Sequence, residues 1–369
     1  MLRGILARVS LKRLPTLSNS HNTNNISTPQ HSPKVGSQRP SIDTSRSFSN
    51  LSSSIKFRSE YHSPKLSHFF QTSPRTPPSL GSHILPLPQN HKLGYYICGD
   101  PTGTTIFYFH GTPSSRLEAS DYHALGLTLN ARIIGVDRPG IGLSTYRPSS
   151  TLLSFAHDIQ TLASHLGLET FKVFGGSGGG PYALACAHEL SPSVLKATGV
   201  LAGMGPPECS YADARWDRRF AFTVNRFTPS FLLRPVIEAG LGRPARALDQ
   251  SAFRKVVEEG FIEGPDKDLF DEEAMESFVE CTREAFMTGS EGYILDTKNF
   301  LRPWGFELAD IEAKVLVWNG SRDVFTPLSI AEWMAGRSRN WKVRVFEGET
   351  HMSIFVRRKE EVLRDLLAL

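Results

Sequence analysis

The stretch Thr170 to Ala187, TFKVFGGSGGGPYALACA, constrains this chain more than any other. Thr170, Phe171, Val173 and Phe174 have strand character, the chain then breaks into glycines around one serine, and Ala183, Leu184, Ala185 and Ala187 suit a helix. Strand, tight turn and helix is the setting of the G-x-S-x-G nucleophile elbow, to which Gly175-Gly176-Ser177-Gly178-Gly179 conforms. In such an elbow the serine holds a strained backbone conformation at the strand tip. Strand and helix then pass so close that only small flanking residues fit. Pro181 falls in the first helical turn, where its missing N–H costs nothing.

The flanking chain alternates strands and helices. Ile84 to Pro88 and Leu93 to Cys98 read as two early strands, and Thr104 to Phe109, TTIFYF, as a strand buried in mid-sheet. A short helix is expected over Leu117 to Leu127 and a strand over Ala131 to Asp137. Leu152, Phe155, Ala156, Ile159, Leu162, Ala163 and Leu166 mark one apolar helical face, and Gly167 stands where that helix would stop. Val194 to Leu201 is another strand. Residues from about 206 to 303 follow without a convincing strand, which is too long for a structureless loop in a compact domain. That segment is rich in phenylalanine and punctuated by Pro229, Pro235, Pro244 and Pro265, so it reads as short helices forming a lid. Alternation resumes with Lys314 to Trp318, a helix near Leu328 to Ala335, Trp341 to Phe346, and a terminal helix from about Met352 to Leu369. The pattern implies a mostly parallel α/β sheet covered on both faces.

Composition separates the N-terminal stretch from the rest. Residues 1 to 80 hold 11 basic residues against 2 acidic ones, a net of +9, which leaves the remainder at −5. The basic balance therefore belongs to the N-terminal extension, and gives no reason to expect nucleic-acid binding by the folded domain. Rich in Ser, Asn and Pro and poor in apolar periodicity, the extension is expected to be disordered. Leu2, Ile5, Leu6 and Val9 share one helical face against Arg3, Arg8 and Lys12, the composition of an organellar transit peptide. The expected compartment is intracellular, mitochondrial if such a peptide operates and cytoplasmic otherwise. No apolar run reaches the roughly 18 residues of a membrane span. Cys98, Cys186, Cys209 and Cys281 are widely spaced without a C-x-x-C pair, which supports neither a disulfide nor a metal site and fits a reducing compartment.

A serine hydroxyl needs a neighbouring base, usually a histidine oriented by a carboxylate, and after an elbow these come in the order Ser, acid, His. Beyond Ser177 the chain holds only His188 and His351. His188 lies eleven residues along the elbow helix, about 16 Å from the serine at the helical rise, and is excluded as the base. His351 follows the last strand and is the candidate. Asp323 follows the strand KVLVW at the carboxyl end of the sheet, where open α/β sheets carry their chemistry, and is the candidate acid. Glu208, Asp310, Glu312, Glu347 and Glu349 compete, and are expected mostly at solvated edges. Backbone N–H groups of Gly178 and of Thr112, in the loop after TTIFYF, are the candidate oxyanion donors. Asp137 and Arg138 are expected to pin neighbouring loops. Arg215, Trp216, Arg218 and Arg219 are expected on solvated surface.

From about residue 83 onward the chain resembles the α/β-hydrolase fold family, in its lidded members with an HG-x-P loop, here His110-Gly111-Thr112-Pro113. The resemblance implies a mostly parallel eight-stranded sheet with helices on both faces. Residues 81–205 and 304–369 would form the core, and 206–303 a helical lid. It further implies a Ser177, Asp323 and His351 triad with Thr112 and Gly178 at the oxyanion hole. Neither cofactor nor metal is called for. Ser177 argues against epoxide hydrolases and haloalkane dehalogenases, whose nucleophile is aspartate. Prolyl aminopeptidase-like members usually carry HGGPG, from which HGTP departs. The expected activity is hydrolysis of an ester or related acyl bond in a small, partly apolar molecule. Thioesterase, amidase, aminopeptidase and carbon–carbon hydrolase activities, a ligand receptor and a lyase share the same residues.

Overall fold

The computed structural model describes residues 81–262 and 264–369; the N-terminal extension, with its expected transit peptide, lies outside them. Eight strands form one sheet in the order β1-β2-β4-β3-β5-β6-β7-β8. They are β1 (Ser82–Leu87), β2 (His91–Gly99), β3 (Thr104–Phe109), β4 (Ala131–Val136), β5 (Phe171–Gly176), β6 (Leu195–Leu201), β7 (Val315–Gly320) and β8 (Trp341–Phe346). β1 and β2 pair antiparallel with each other, β2 pairs antiparallel with β4, and the rest of the sheet is parallel.

Alternation along β3 divides its side chains between two cores. Phe107 and Phe109 pack on one face of the sheet with Phe155 and Phe171, while Ile106 and Tyr108 pack on the other with Phe174 and Trp318. A strand buried on both faces needs such a continuous apolar run. Helix α1 (His123–Thr128) follows a 3-10 stretch over Arg116–Tyr122. One helix was expected across these residues. Instead Ser115 caps the tighter turn through its side chain and the chain re-enters α geometry only at His123. Helix α2 (Leu152–His165) starts at a capping box formed by Thr151 and Ser154, buries the expected apolar face, and is followed by Gly167 at φ +65°.

Helix α3 (Gly180–Glu189) leaves the elbow. Between β6 and β7 come α4 (Trp216–Phe227), α5 (Ser230–Ile237), α6 (Arg243–Arg246), α7 (Ser251–Phe261), α8 (Glu272–Glu284) and α9 (Glu291–Leu301). This insertion has its own apolar cluster, including Leu241, Phe253, Val257, Phe286 and Tyr293, into which Ile141 of the core is pushed. Helix α10 (Leu328–Ala335) lies between β7 and β8. The expected single C-terminal helix is two, α11 (His351–Arg357) and α12 (Lys359–Leu367), broken at Arg358. The break lets α12 turn its Val362, Leu363 and Leu366 under the sheet. Among the described residues no helix is long and apolar enough to cross a membrane.

Candidate active site

Ser177 stands at the end of β5 with φ +50°, a left-handed conformation that costs a non-glycine residue about 1–3 kcal/mol. The crowding around it accounts for its glycines. A Cβ on Gly179 would lie 2.0 Å from the Phe109 carbonyl oxygen, and one on Gly175 would lie 2.4 Å from the Gly179 oxygen. With both positions reduced to hydrogen, α3 can start against the tips of β3 and β5, and the serine side chain is carried above the sheet.

His351, the first residue of α11, sets its Nε2 3.1 Å from Ser177 Oγ and its Nδ1 2.7 Å from Asp323 Oδ2. Asp323, in the loop after β7, is buried and almost saturated. Its Oδ1 accepts from the Phe325 and Thr326 amides, each at 2.8 Å, and the Thr326 hydroxyl stands 2.9 Å from its Oδ2. Carboxylate and imidazole are thereby held in one orientation, with Nδ1 toward the acid and Nε2 toward the serine. On the other side Thr350 caps α11, so the histidine's backbone is anchored as firmly as its ring. The ring stacks on Phe325 at 5.1 Å and 21°.

Thr112 and Gly178 come together beside the serine, since a Cβ on Gly178 would lie 2.3 Å from Thr112 Oγ1. The Thr112 hydroxyl is already engaged, donating to Asp296 at 2.7 Å and accepting from Arg138 Nη2 at 2.7 Å. Only its backbone amide is left to face a reacting oxygen. Arg138 and Asp296 form a wholly buried ion pair at 2.7 Å, with Tyr182 donating to Asp296 and Arg138 donating to the His110 and Gly111 carbonyls. Asp137 accepts from the Arg116 amide, the Arg116 guanidinium and the Leu143 amide, and burial pushes its carboxyl up to about 6. Both residues pin loops, as expected. Burial and the neighbouring Arg138 hold His110 well below the ordinary histidine range, so it stays neutral.

Several placements differ from expectation. Glu208, Asp310, Glu312 and Glu347 are exposed, but Glu349 is buried, where it accepts from Ser353 Oγ and Arg358 Nε. It braces α11 rather than lying at a solvated edge. Arg218 leaves the surface and lines the cavity, its guanidinium 4.2 Å from the Phe325 ring centroid, because the inner face of α4 turns toward the site. Glu118 was not singled out by sequence. It accepts from the Gly111 amide at 3.0 Å and from the Tyr108 hydroxyl, and burial raises its pKa. Its one sequence signal was proximity to the HGTP loop. Asp296 and Thr326 carried none, since Asp296 meets Thr112, Arg138 and Tyr182, and Thr326 meets Ala202 and His351, only once the chain is folded. His188 stacks on Phe306 at 4.9 Å at the far end of α3.

A cavity of about 380 Å³ opens at Ser177 between the core and the insertion. Its upper wall includes Phe222, Phe261, Phe270, Phe278 and Phe300, and its lower wall Tyr108, Glu118, Asp121 and Lys359. The group at its centre could transfer a proton from serine to imidazole and meet a developing oxyanion with backbone amides.

Residues 104–357 match the family model described as alpha/beta hydrolase fold. The chain is similar to a proline iminopeptidase of Xylella fastidiosa (strain 9a5c), 34% identical over 115 residues, which are 28% of this chain and 34% of the relative. It thus spans about a third of the length of that relative. A proline iminopeptidase of Clostridium botulinum is 24% identical over 299 residues, covering 75% of this chain and 93% of the relative. Among solved structures, a thermophilic esterase from Thermogutta terrifontis has a TM-score of 0.51 at 21% identity, covering 78% of this chain and 98% of its own. A bromoperoxidase from Bacillus anthracis has a TM-score of 0.57 at 19% identity over 78% and 98%. These two likenesses concern the fold.

Proposed function

The chain belongs to the alpha/beta hydrolase fold family, and on that premise we propose that it is a serine hydrolase cleaving an ester or related acyl bond of a small, partly apolar molecule. The observation that carries this reading is the unbroken contact from Ser177 Oγ through the His351 ring to Asp323, at 3.1 and 2.7 Å. Ser177 Oγ attacks the carbonyl carbon while His351 Nε2 takes its proton. Asp323 steadies the imidazolium that forms, and the Gly178 and Thr112 amides stabilise the tetrahedral oxyanion. The imidazolium gives the proton to the leaving group, which departs and leaves an acyl-serine. Water, deprotonated by the same nitrogen, then releases the acid and restores the serine. Helices α4–α9 act as a lid in this reading, and the phenylalanines of the upper wall favour an apolar acyl group.

The proline iminopeptidases it resembles favour a second reading, amide cleavage by the same residues. The two are separated by assaying acyl esters and thioesters of increasing length beside chromogenic prolyl amides. The nucleophile is tested by fluorophosphonate labelling. Wild type should label and turn over substrate, and Ser177→Ala should do neither. Equal labelling of the two proteins would remove Ser177 from the mechanism.

A further inference from the structure

Helices α4 and α5 each present two contrasting faces. Arg218, Ala221, Phe222 and Asn225 of α4, with Leu233 and Ile237 of α5, line the cavity. The opposite face of α4 carries Trp216, Arg219, Phe220, Thr223, Arg226 and Phe227, all exposed and spaced at one helical stripe. The outer face of α5 continues it with Phe231, Leu232 and Arg234. Phe227 and Phe231 are each 73% exposed, an unusual state for side chains of that size. Because both helices turn their inner faces to one cavity, both outer faces point away from the molecule together.

Charge along the two outer stripes has one sign. No acidic residue falls on the two outer stripes; Asp217 lies off them and pairs with Arg215 at 2.6 Å. Arg234 meets Glu291 at 2.7 Å at the edge, while the Arg219 and Arg226 guanidinium groups meet the carbonyl oxygens of Ala212 and Pro207, at 3.4 and 3.5 Å, and that of Arg226 also lies 5.5 Å from the Phe227 ring centroid. Aromatic side chains interleaved with arginines on an exposed helical face suit the boundary of an anionic bilayer, where rings enter the acyl edge and guanidinium groups meet lipid phosphates and carboxylates. A symmetric pairing of two copies would set one basic stripe against another, which like charge opposes.

We propose that the outer face of α4 and α5 is a docking surface for an anionic lipid bilayer, with Phe227 and Phe231 as its inserting anchors. The surface is independent of the chemistry at Ser177, so a binding assay judges it whatever the substrate. The basic N-terminal extension will itself attract anionic vesicles, and the deciding variant therefore alters the aromatic residues while keeping every charge. Full-length wild type, Phe227→Ser/Phe231→Ser and Arg219→Gln/Arg226→Gln should be floated with phosphatidylcholine vesicles with and without phosphatidylserine. Unchanged thermal unfolding of the variants serves as the folding control. Wild type should bind the mixed vesicles, with at least a tenfold loss of partitioning in the aromatic variant. The arginine variant should show a weaker preference for phosphatidylserine than wild type, what remains being the share of the N-terminal extension. Equal flotation of wild type and the aromatic variant would overturn the proposal, as would absence of wild-type binding. So would a wild-type dimer that the aromatic substitutions convert to monomer without altering flotation.

Discussion

Thr326 illustrates how a small side chain governs a site it does not enter as a reactant. Its hydroxyl stands 2.9 Å from Asp323 Oδ2, 3.1 Å from His351 Nδ1 and 2.9 Å from the Ala202 carbonyl oxygen, so it joins acid, base and sheet at one point. Its single proton cannot serve both oxygen acceptors at once, which makes it a positioning contact. Thr326→Val keeps shape and both amide bonds to Asp323 Oδ1 but loses this link. We expect kcat to fall roughly tenfold, about 1.4 kcal/mol of transition-state stabilisation, with KM little changed. Steady-state kinetics on the best ester checks this, and an unchanged kcat would show that the two amides alone orient the acid. At this scale the serine, histidine and aspartate could be named from order and strand ends. Thr326 could not, because a threonine three residues after an aspartate is ordinary until folding brings the histidine to it.

Elements meet across long sequence distances at the Arg138–Asp296 pair. Arg138 follows β4 in the core and Asp296 lies inside α9 of the insertion, yet the two are fully buried against each other and both contact the Thr112 hydroxyl. The pair therefore couples the placement of the insertion to the loop that offers the Thr112 amide. Asp296→Asn leaves the guanidinium charge buried without its countercharge, which typically costs 3–5 kcal/mol. Thermal unfolding should shift down accordingly, and labelling of Ser177 should slow as the Thr112 loop loosens. A variant as stable as wild type would show that the Tyr182 ring, whose centroid lies 5.0 Å from the guanidinium, and the carbonyls suffice to hold Arg138. Helical periodicity could identify α2 because only one of its faces is apolar. It could not orient α4, whose cavity face and outer face both carry phenylalanine.

The whole molecule brings the carboxyl ends of β5, β7 and β8 to one rim of a parallel sheet, and the insertion covers that rim. Among the described residues β1 is the first strand, beginning at Ser82, and every residue of the candidate site lies beyond it. A chain starting at residue 80 should therefore unfold at the temperature of the full chain and label with fluorophosphonate at the same rate. A large loss of either would assign the extension a part in the fold. Sequence alone determined the elbow and the alternation of strands and helices outside the insertion, and it singled out Ser177, Asp323 and His351 as candidates. The strand, helix and elbow signals are carried by residues within a few positions of one another, and the three side chains by their order along the chain. Tertiary structure alone decided that Arg218 lines the cavity, that Glu349 braces α11, that Arg138 finds Asp296, and that the outer aromatics of α4 and α5 face away from the cavity. Periodicity tells a helix that it has faces. Only packing against the rest of the chain decides which face is buried and which is left to water.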